Sequence, residues 1–144
     1  MIKILFICHG NICRSPAAEM ILRGMTDRAE IDSMATSSEE LGNGLYPPMR
    51  QAMLRRGITL SPHTARQTKR ADYARYDYII GMDRENMWEM KRIYGGDPDG
   101  KLSLLLEWAG ERREVSDPWY TRDFDQALDD IERGCREINE KLAL

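Results

Sequence analysis

The residues best suited to chemistry lie near the N-terminus, in Cys8-His9-Gly10-Asn11-Ile12-Cys13-Arg14-Ser15. A thiol closes an apolar run, and after five intervening residues a guanidinium and a hydroxyl stand where a helix begins. A tight loop of this kind can turn its backbone N–H groups toward one point, and the N-terminus of the next helix adds positive potential there; together they suit a single tetrahedral oxyanion. Arg14 supplies a planar two-pronged grip on two oxygens of such a group, which the point charge of a Lys does not reproduce. The same field favours the thiolate of Cys8, with Ser15 placed to donate to the sulfur. A thiolate facing a bound phosphoryl group is a nucleophile for in-line attack on phosphorus, and the product is a cysteinyl-phosphate whose oxygens Arg14 and the loop amides hold. With 3 Cys, 16 Arg and 7 Ser in 144 residues, chance supplies only about 0.02 copies of a Cys-x5-Arg-Ser pattern.

Such a loop needs a rigid strand before it and a helix behind it. Ile2 to Ile7 is nearly continuous in apolar residues, as a strand buried on both faces is, and it stops at the Gly-containing turn. Ser15-Pro16-Ala17-Ala18 reads as a helix start, with Ser15 as the cap and Pro16 in the first turn. Further on, Ile31 to Thr36 reads as a second strand, Leu41 to Pro48 as an exposed connection, and Pro48 to Arg56 as a helix ending near Gly57. Residues 77 to 82 give a third strand, followed by a helix from Arg84 to Ile93 that stops at Gly95-Gly96. Leu102 to Leu106 is a fourth strand or a short helix, and periodicity leaves both open. From Asp123 to Leu142 apolar residues recur at helical spacing, with Cys135 on the stripe and so in the core. Strands alternating with helices predict an α/β fold: a small doubly wound, mainly parallel four-stranded sheet with helices on both faces, its ligand at the carboxyl ends of the strands.

Composition sets the outer bounds. At 144 residues the chain is one domain, 1–144, with 42% apolar and 31% charged residues. A net charge of −3 argues against nucleic acid or an anionic membrane as partner. Three cysteines are too few and odd in number for a secreted disulfide framework, and the N-terminal apolar run is too short for a signal peptide or a membrane span, so a cytoplasmic protein is expected. Arg outnumbers Lys by 16 to 5, and whether that excess lines a site or helix faces is left open. No metal-ligand spacing, G-x-G-x-x-G or Walker loop occurs, so neither metal nor cofactor is expected.

The stretch CHGNICRSPAAE resembles the signature loop of the low-molecular-weight protein tyrosine phosphatases. DSMATSSEELGN, GITLSPHTARQ, DYIIGMDREN and SDPWY extend the resemblance through nearly the whole chain. It implies the fold read above and hydrolysis of phosphotyrosine through a cysteinyl-phosphate, with Cys8 the nucleophile and Arg14 the phosphate grip. Asp117 then serves as general acid and, in the second step, as the base that activates water; a phenol with pKa near 10 leaves poorly without a proton donor. His9, Gly10, Asn11, Ile12, Cys13 and Ser15 complete the phosphate-binding loop. Ile12, Trp119 and Tyr120 line the substrate pocket, with Trp119 standing where many members have Tyr. Asn11, Ser15, Ser37 and His63 form the supporting network, the last two reached through Asn11.

The resemblance also makes Cys13 a redox partner for Cys8 and sets Asp83 at the sheet's carboxyl edge, as an ion pair or helix cap if not a catalytic group. His9 either touches substrate or faces solvent at the rim. Glu39 and Glu40 are expected to face solvent. The implied partner is a phosphotyrosine-containing protein, with a tyrosine kinase among the candidates. The oligomeric state expected is a monomer, with a weak dimer as the alternative. Two other activities use a similar loop: protein-arginine phosphatase, disfavoured because its members carry Thr where Ile12 stands, and arsenate reductase, which needs downstream cysteines that Cys135 does not supply.

Overall fold

In the computed structural model, which describes residues 1–144, four strands form one parallel sheet: β1 (Ile2–Cys8), β2 (Ala29–Ala35), β3 (Tyr78–Gly81) and β4 (Leu102–Leu104), in the order β2-β1-β3-β4. Five helices connect or follow them: α1 (Arg14–Met25), α2 (Pro47–Arg55), α3 (Arg84–Tyr94), the single turn α4 (Pro118–Thr121) and α5 (Phe124–Lys141). β1 has a neighbour on each side, which is why its apolar run is continuous instead of alternating. The chain steps to one side of β1 for β2, then crosses to the other side for β3 and β4. The winding reverses at β1 and β3, and the crevice of such a sheet opens there, at the strand carboxyl ends. Register brings those ends to one edge, with Cys8 opposite Ala35 and Ile7 opposite Gly81.

The two-residue period of the strands divides the core. Ile4, Phe6 and Cys8 of β1 face a large apolar cluster with Ile80, the buried sides of α1 and α2, and Leu128, Ile131 and Ile138 of α5. Leu5 and Ile7 face a smaller one with Ile79, Tyr73, Tyr76 and Met90 and Tyr94 of α3. Helices therefore cover both faces, as the alternation of elements predicts. Each fully buried Ile, Leu or Phe contributes about 1.5–3 kcal/mol of apolar transfer.

Differences from the sequence expectations are local and physical. β2 begins at Ala29 because Ile2 pairs with it across the β1–β2 ladder. α2 begins one residue early, at Pro47, and α3 runs to Tyr94 before Gly95 ends it at φ 77°. Asp123 lies outside α5 as its cap, accepting from Gln126 N at 2.9 Å. Leu102 to Leu106 proves to be both things: β4 ends at Leu104 and a 3₁₀ turn follows over Leu105–Ala109. Another 3₁₀ turn, Arg70–Arg75, and α4 are additions that periodicity did not reveal. Ser15 is not the cap of α1: the helix starts at Arg14, Cys13 precedes it without a side-chain cap bond, and Ser15 is fully buried inside the first turn. Its hydroxyl is engaged elsewhere.

Candidate active site

The loop from Cys8 to Ser15 is shaped by what its carbonyls touch. Cys8 O accepts from Thr36 N at 3.0 Å, His9 O from Ser37 N at 3.1 Å, and Ile12 O from Tyr46 N at 2.7 Å. His63 Nε2 lies 2.6 Å from Asn11 O. A planar trans peptide points its C=O and its N–H in opposite directions. Carbonyls anchored outward therefore turn the N–H groups of His9, Gly10, Ile12 and Cys13 inward, toward one focus at the start of α1. That is an anion cradle made of backbone.

Asn11 is the interior brace. It sits at φ 57°, a left-handed conformation that Asn tolerates better than most residues, and it is fully buried. Its side-chain oxygen accepts from Arg66 N at 3.2 Å, and its amide donates to Ser15 Oγ and to Ser33 Oγ, both at 2.9 Å. Because Ser15 Oγ already accepts from Asn11, its own proton is free to point at Cys8 Sγ, 2.9 Å away. The Ser33 hydroxyl donates to Glu19 Oε1 at 2.5 Å, and Glu19 pairs with Arg23 at 2.7 Å. A chain of buried polar groups thus runs from the thiol through α1 and β2, satisfied at each step.

Arg14 is 2% exposed. Its Nη1 donates to Asp83 Oδ2 and to Val115 O, each at 2.9 Å, and Nη2 lies 3.4 Å from Asp117 Oδ2. Burial works against the guanidinium charge, but Cys8, Asp83 and Asp117 outweigh it and hold the group above its ordinary value. Asp83 is both the ion pair and the cap of α3, its Oδ1 accepting from Asn86 N at 2.8 Å. Asp117 caps α4, accepting from Trp119 N at 3.0 Å, so one carboxylate starts the turn that carries the aromatics and also faces Arg14. Burial, with Cys8 and Asp117 nearby, pushes the Cys13 thiol far up, keeping it protonated. All three cysteines are free thiols, and Cys135 is fully buried, donating to Ala18 O at 3.6 Å.

These groups border one cleft of about 340 Å³. The buried Cys8, Cys13 and Arg14 form its floor, and Ile12 and Gly10 of the loop, Asp117 with Trp119 and Tyr120, and His9 with Glu39 and Glu40 line the rest. The aromatics stand clear of the surface, 51% and 81% exposed, and Trp119 is steadied by the Tyr46 ring 5.1 Å away. No group of three or more His, Cys, Asp or Glu side chains converges as metal ligands would.

Two expectations need correcting. Ser37 does not reach the loop through Asn11: its hydroxyl donates to His9 O at 2.9 Å, and the serine on Asn11 is Ser33. Glu39 and Glu40 do not simply face solvent but border the cleft, Glu39 Oε2 lying 3.0 Å from His9 Nε2. Ser33 and Glu19 were missed, although a signal existed. Ile31, Ser33 and Ala35 share one face of β2 by alternation, and a polar residue on a buried face must find a partner.

Comparison with known proteins agrees with this geometry. Residues 3–143 match the family model described as low molecular weight phosphotyrosine protein phosphatase. The low molecular weight protein-tyrosine-phosphatase YfkJ of Bacillus subtilis is 33% identical, over 96% of this chain and 94% of its own. Its crystal structure superposes with a TM-score of 0.93, covering 99% of this chain and 95% of that one. The human low molecular weight phosphotyrosine protein phosphatase is 35% identical over 96% of this chain and 94% of its own. A Drosophila arginine phosphatase also shares the fold, with a TM-score of 0.89, 25% identity and 99% coverage of both chains. With the family model matched over residues 3–143 and relatives above 30% identical over nearly their whole length, the chain belongs to the low molecular weight phosphotyrosine protein phosphatase family.

Proposed function

We propose that this protein is a protein-tyrosine phosphatase that acts through a cysteinyl-phosphate. The observation that carries the reading is the meeting of Cys8 and Arg14 of one loop with Asp117 of a distant segment around one cleft bordered by Trp119 and Tyr120. In the first step the phosphoryl group sits in the amide cradle, gripped by Arg14, whose Nη1 is already fixed by Asp83 and Val115 O. The Cys8 thiolate attacks phosphorus in line, the S–P bond forms as the P–O bond to tyrosine breaks, and Asp117 gives its proton to the departing phenol oxygen. In the second step Asp117, now a carboxylate, takes a proton from water. The hydroxide attacks phosphorus, the S–P bond breaks, and inorganic phosphate leaves with Cys8 again a thiolate stabilised by Ser15. The cradle and Arg14 hold the three equatorial oxygens throughout, where charge redistributes most.

The apolar Ile12 and the flat rings at the mouth support a phenyl ring over a cationic guanidinium as the leaving side of the substrate. Cys135, sealed in the core, supports hydrolysis over a cysteine relay to arsenate. We read the chain as one domain over 1–144, acting on phosphotyrosine proteins as a monomer. Three free thiols support a reducing, cytoplasmic setting. No helix is long and apolar enough to cross a membrane.

The test compares phosphotyrosine and phosphoarginine hydrolysis by the wild-type protein and Cys8→Ser, without added metal. Release from phosphotyrosine that falls by at least about 10³-fold in Cys8→Ser is expected. Turnover that survives in a clean Cys8→Ser preparation would remove the nucleophile assignment, and a preference for phosphoarginine would move the substrate to the second reading.

A further inference from the structure

Although Arg is the commonest charged residue of this chain, with 16 copies, no exposed Arg or Lys borders the cleft. Its one arginine, Arg14, lies on the floor at 2% exposure, and the charged side chains at the mouth are Glu39, Glu40 and Asp117, with His9 beside them. The glutamate wall is fixed to the loop. Ser37 N and Ser37 Oγ both donate to His9 O, at 3.1 and 2.9 Å. Glu39 Oε2 meets His9 Nε2 at 3.0 Å, and Glu40 Oε2 accepts from Asn43 Nδ2 at 2.6 Å. The Glu40 stem packs so closely on Gly10 that a Cβ there would meet Glu40 Cγ at 3.2 Å.

A phosphotyrosine whose phosphoryl group reaches the floor must lay its neighbouring residues across this mouth. We infer that Glu39 and Glu40 are specificity-determining residues that favour phosphotyrosines flanked by Lys or Arg and disfavour those flanked by Asp or Glu. The inference rests on the proposed tyrosine phosphatase activity and names the class of protein segment it accepts. The contact with His9 engages Glu39 through Oε2 alone, leaving its other oxygen to a partner. An acidic flank meets like charge instead, which is how an interface rejects a wrong partner.

Three phosphotyrosine peptides of equal length, with Lys, Ala or Glu on both sides of the phosphotyrosine, separate the outcomes through kcat/KM. The wild-type protein is expected to prefer the Lys peptide over the Glu peptide by about three- to tenfold, the range of two exposed charge pairs. The ratio should shrink toward one in about 0.5 M salt and in the Glu39→Gln/Glu40→Gln variant. Equal kcat/KM for the three peptides would overturn the selectivity while leaving the activity standing. A wild-type ratio kept unchanged in the double variant would overturn its assignment to these glutamates. No turnover of any peptide would overturn the activity itself, and this inference with it.

Discussion

At the scale of a single residue, Asp117 caps α4 and, in the proposed mechanism, also serves as general acid, and the two tasks separate cleanly. As the cap of α4 it needs only an acceptor for Trp119 N, 3.0 Å away, whereas as an acid it needs a proton to give. Asparagine keeps the first property and lacks the second. Asp117→Asn is therefore expected to leave α4 in place yet lower kcat by about 100-fold or more on phenyl phosphates with poor leaving groups, and far less on p-nitrophenyl phosphate. An equal loss on both, measured across a leaving-group series, would deny the carboxyl its role as acid. Ser33 and Glu19 matter differently, since neither borders the cleft and both act by fixing Asn11 and, through it, Ser15 and the sulfur.

Among the elements, α5 holds the floor of the site in place by packing on α1 and on the 3₁₀ turn after β4. Its Gly134 is where the approach is closest: a Cβ there would lie 2.5 Å from Leu105 Cγ, and Leu105 is fully buried. Helix propensity favours Ala over Gly by about 1 kcal/mol, and overpacking of a tight core costs about 1–3 kcal/mol. Here the second effect wins, because Leu105 is confined by the core around it. Gly134→Ala is expected to lower stability by up to about 2 kcal/mol in denaturant unfolding, and a more stable variant would show that Leu105 can move aside.

For the molecule as a whole, the sheet stands between a large core and a small one, and the small one is closed at its edge by polar contacts. Asp97 accepts from Tyr73 Oη at 2.6 Å and from Lys101 N at 2.8 Å, tying the turn before β4 to the Arg70–Arg75 segment. Burial would raise the Asp97 carboxyl, but these donors with Leu102 N and the charge of Lys91 outweigh it and hold it below its ordinary value. A carboxyl lowered in the folded state contributes stability that is complete above the unfolded value near 3.9 and disappears as pH falls through the folded one. Asp97→Asn should thus be less stable than wild type at pH 7, with the difference narrowing as pH falls below about 4. Thermal unfolding across that range measures it, and a gap independent of pH would mean that the charge is not what Asp97 contributes.

The chemistry was legible in the sequence because it is local. Cys8 to Ser15 is a contiguous loop whose length and residue types define an anion cradle, and the run Ile2 to Ile7 declares a central parallel strand by its lack of alternation. The long stripe of α5 and the stops at Gly57 and Gly95 were equally local, since capping and period depend on neighbours within a few residues. What needed the tertiary structure joins residues far apart in the chain. Which serine braces Asn11 depended on the β1–β2 register, and whereas Ser15 meets the Cys8 sulfur as its place in the loop predicts, its enclosed hydroxyl does not cap α1. The two roles of Asp83 and the acidic wall of Glu39 and Glu40 arise where segments separated by tens of residues meet at the carboxyl edge of the sheet. Spacing along a chain fixes which groups a loop can present, whereas long-range packing fixes which charges face them.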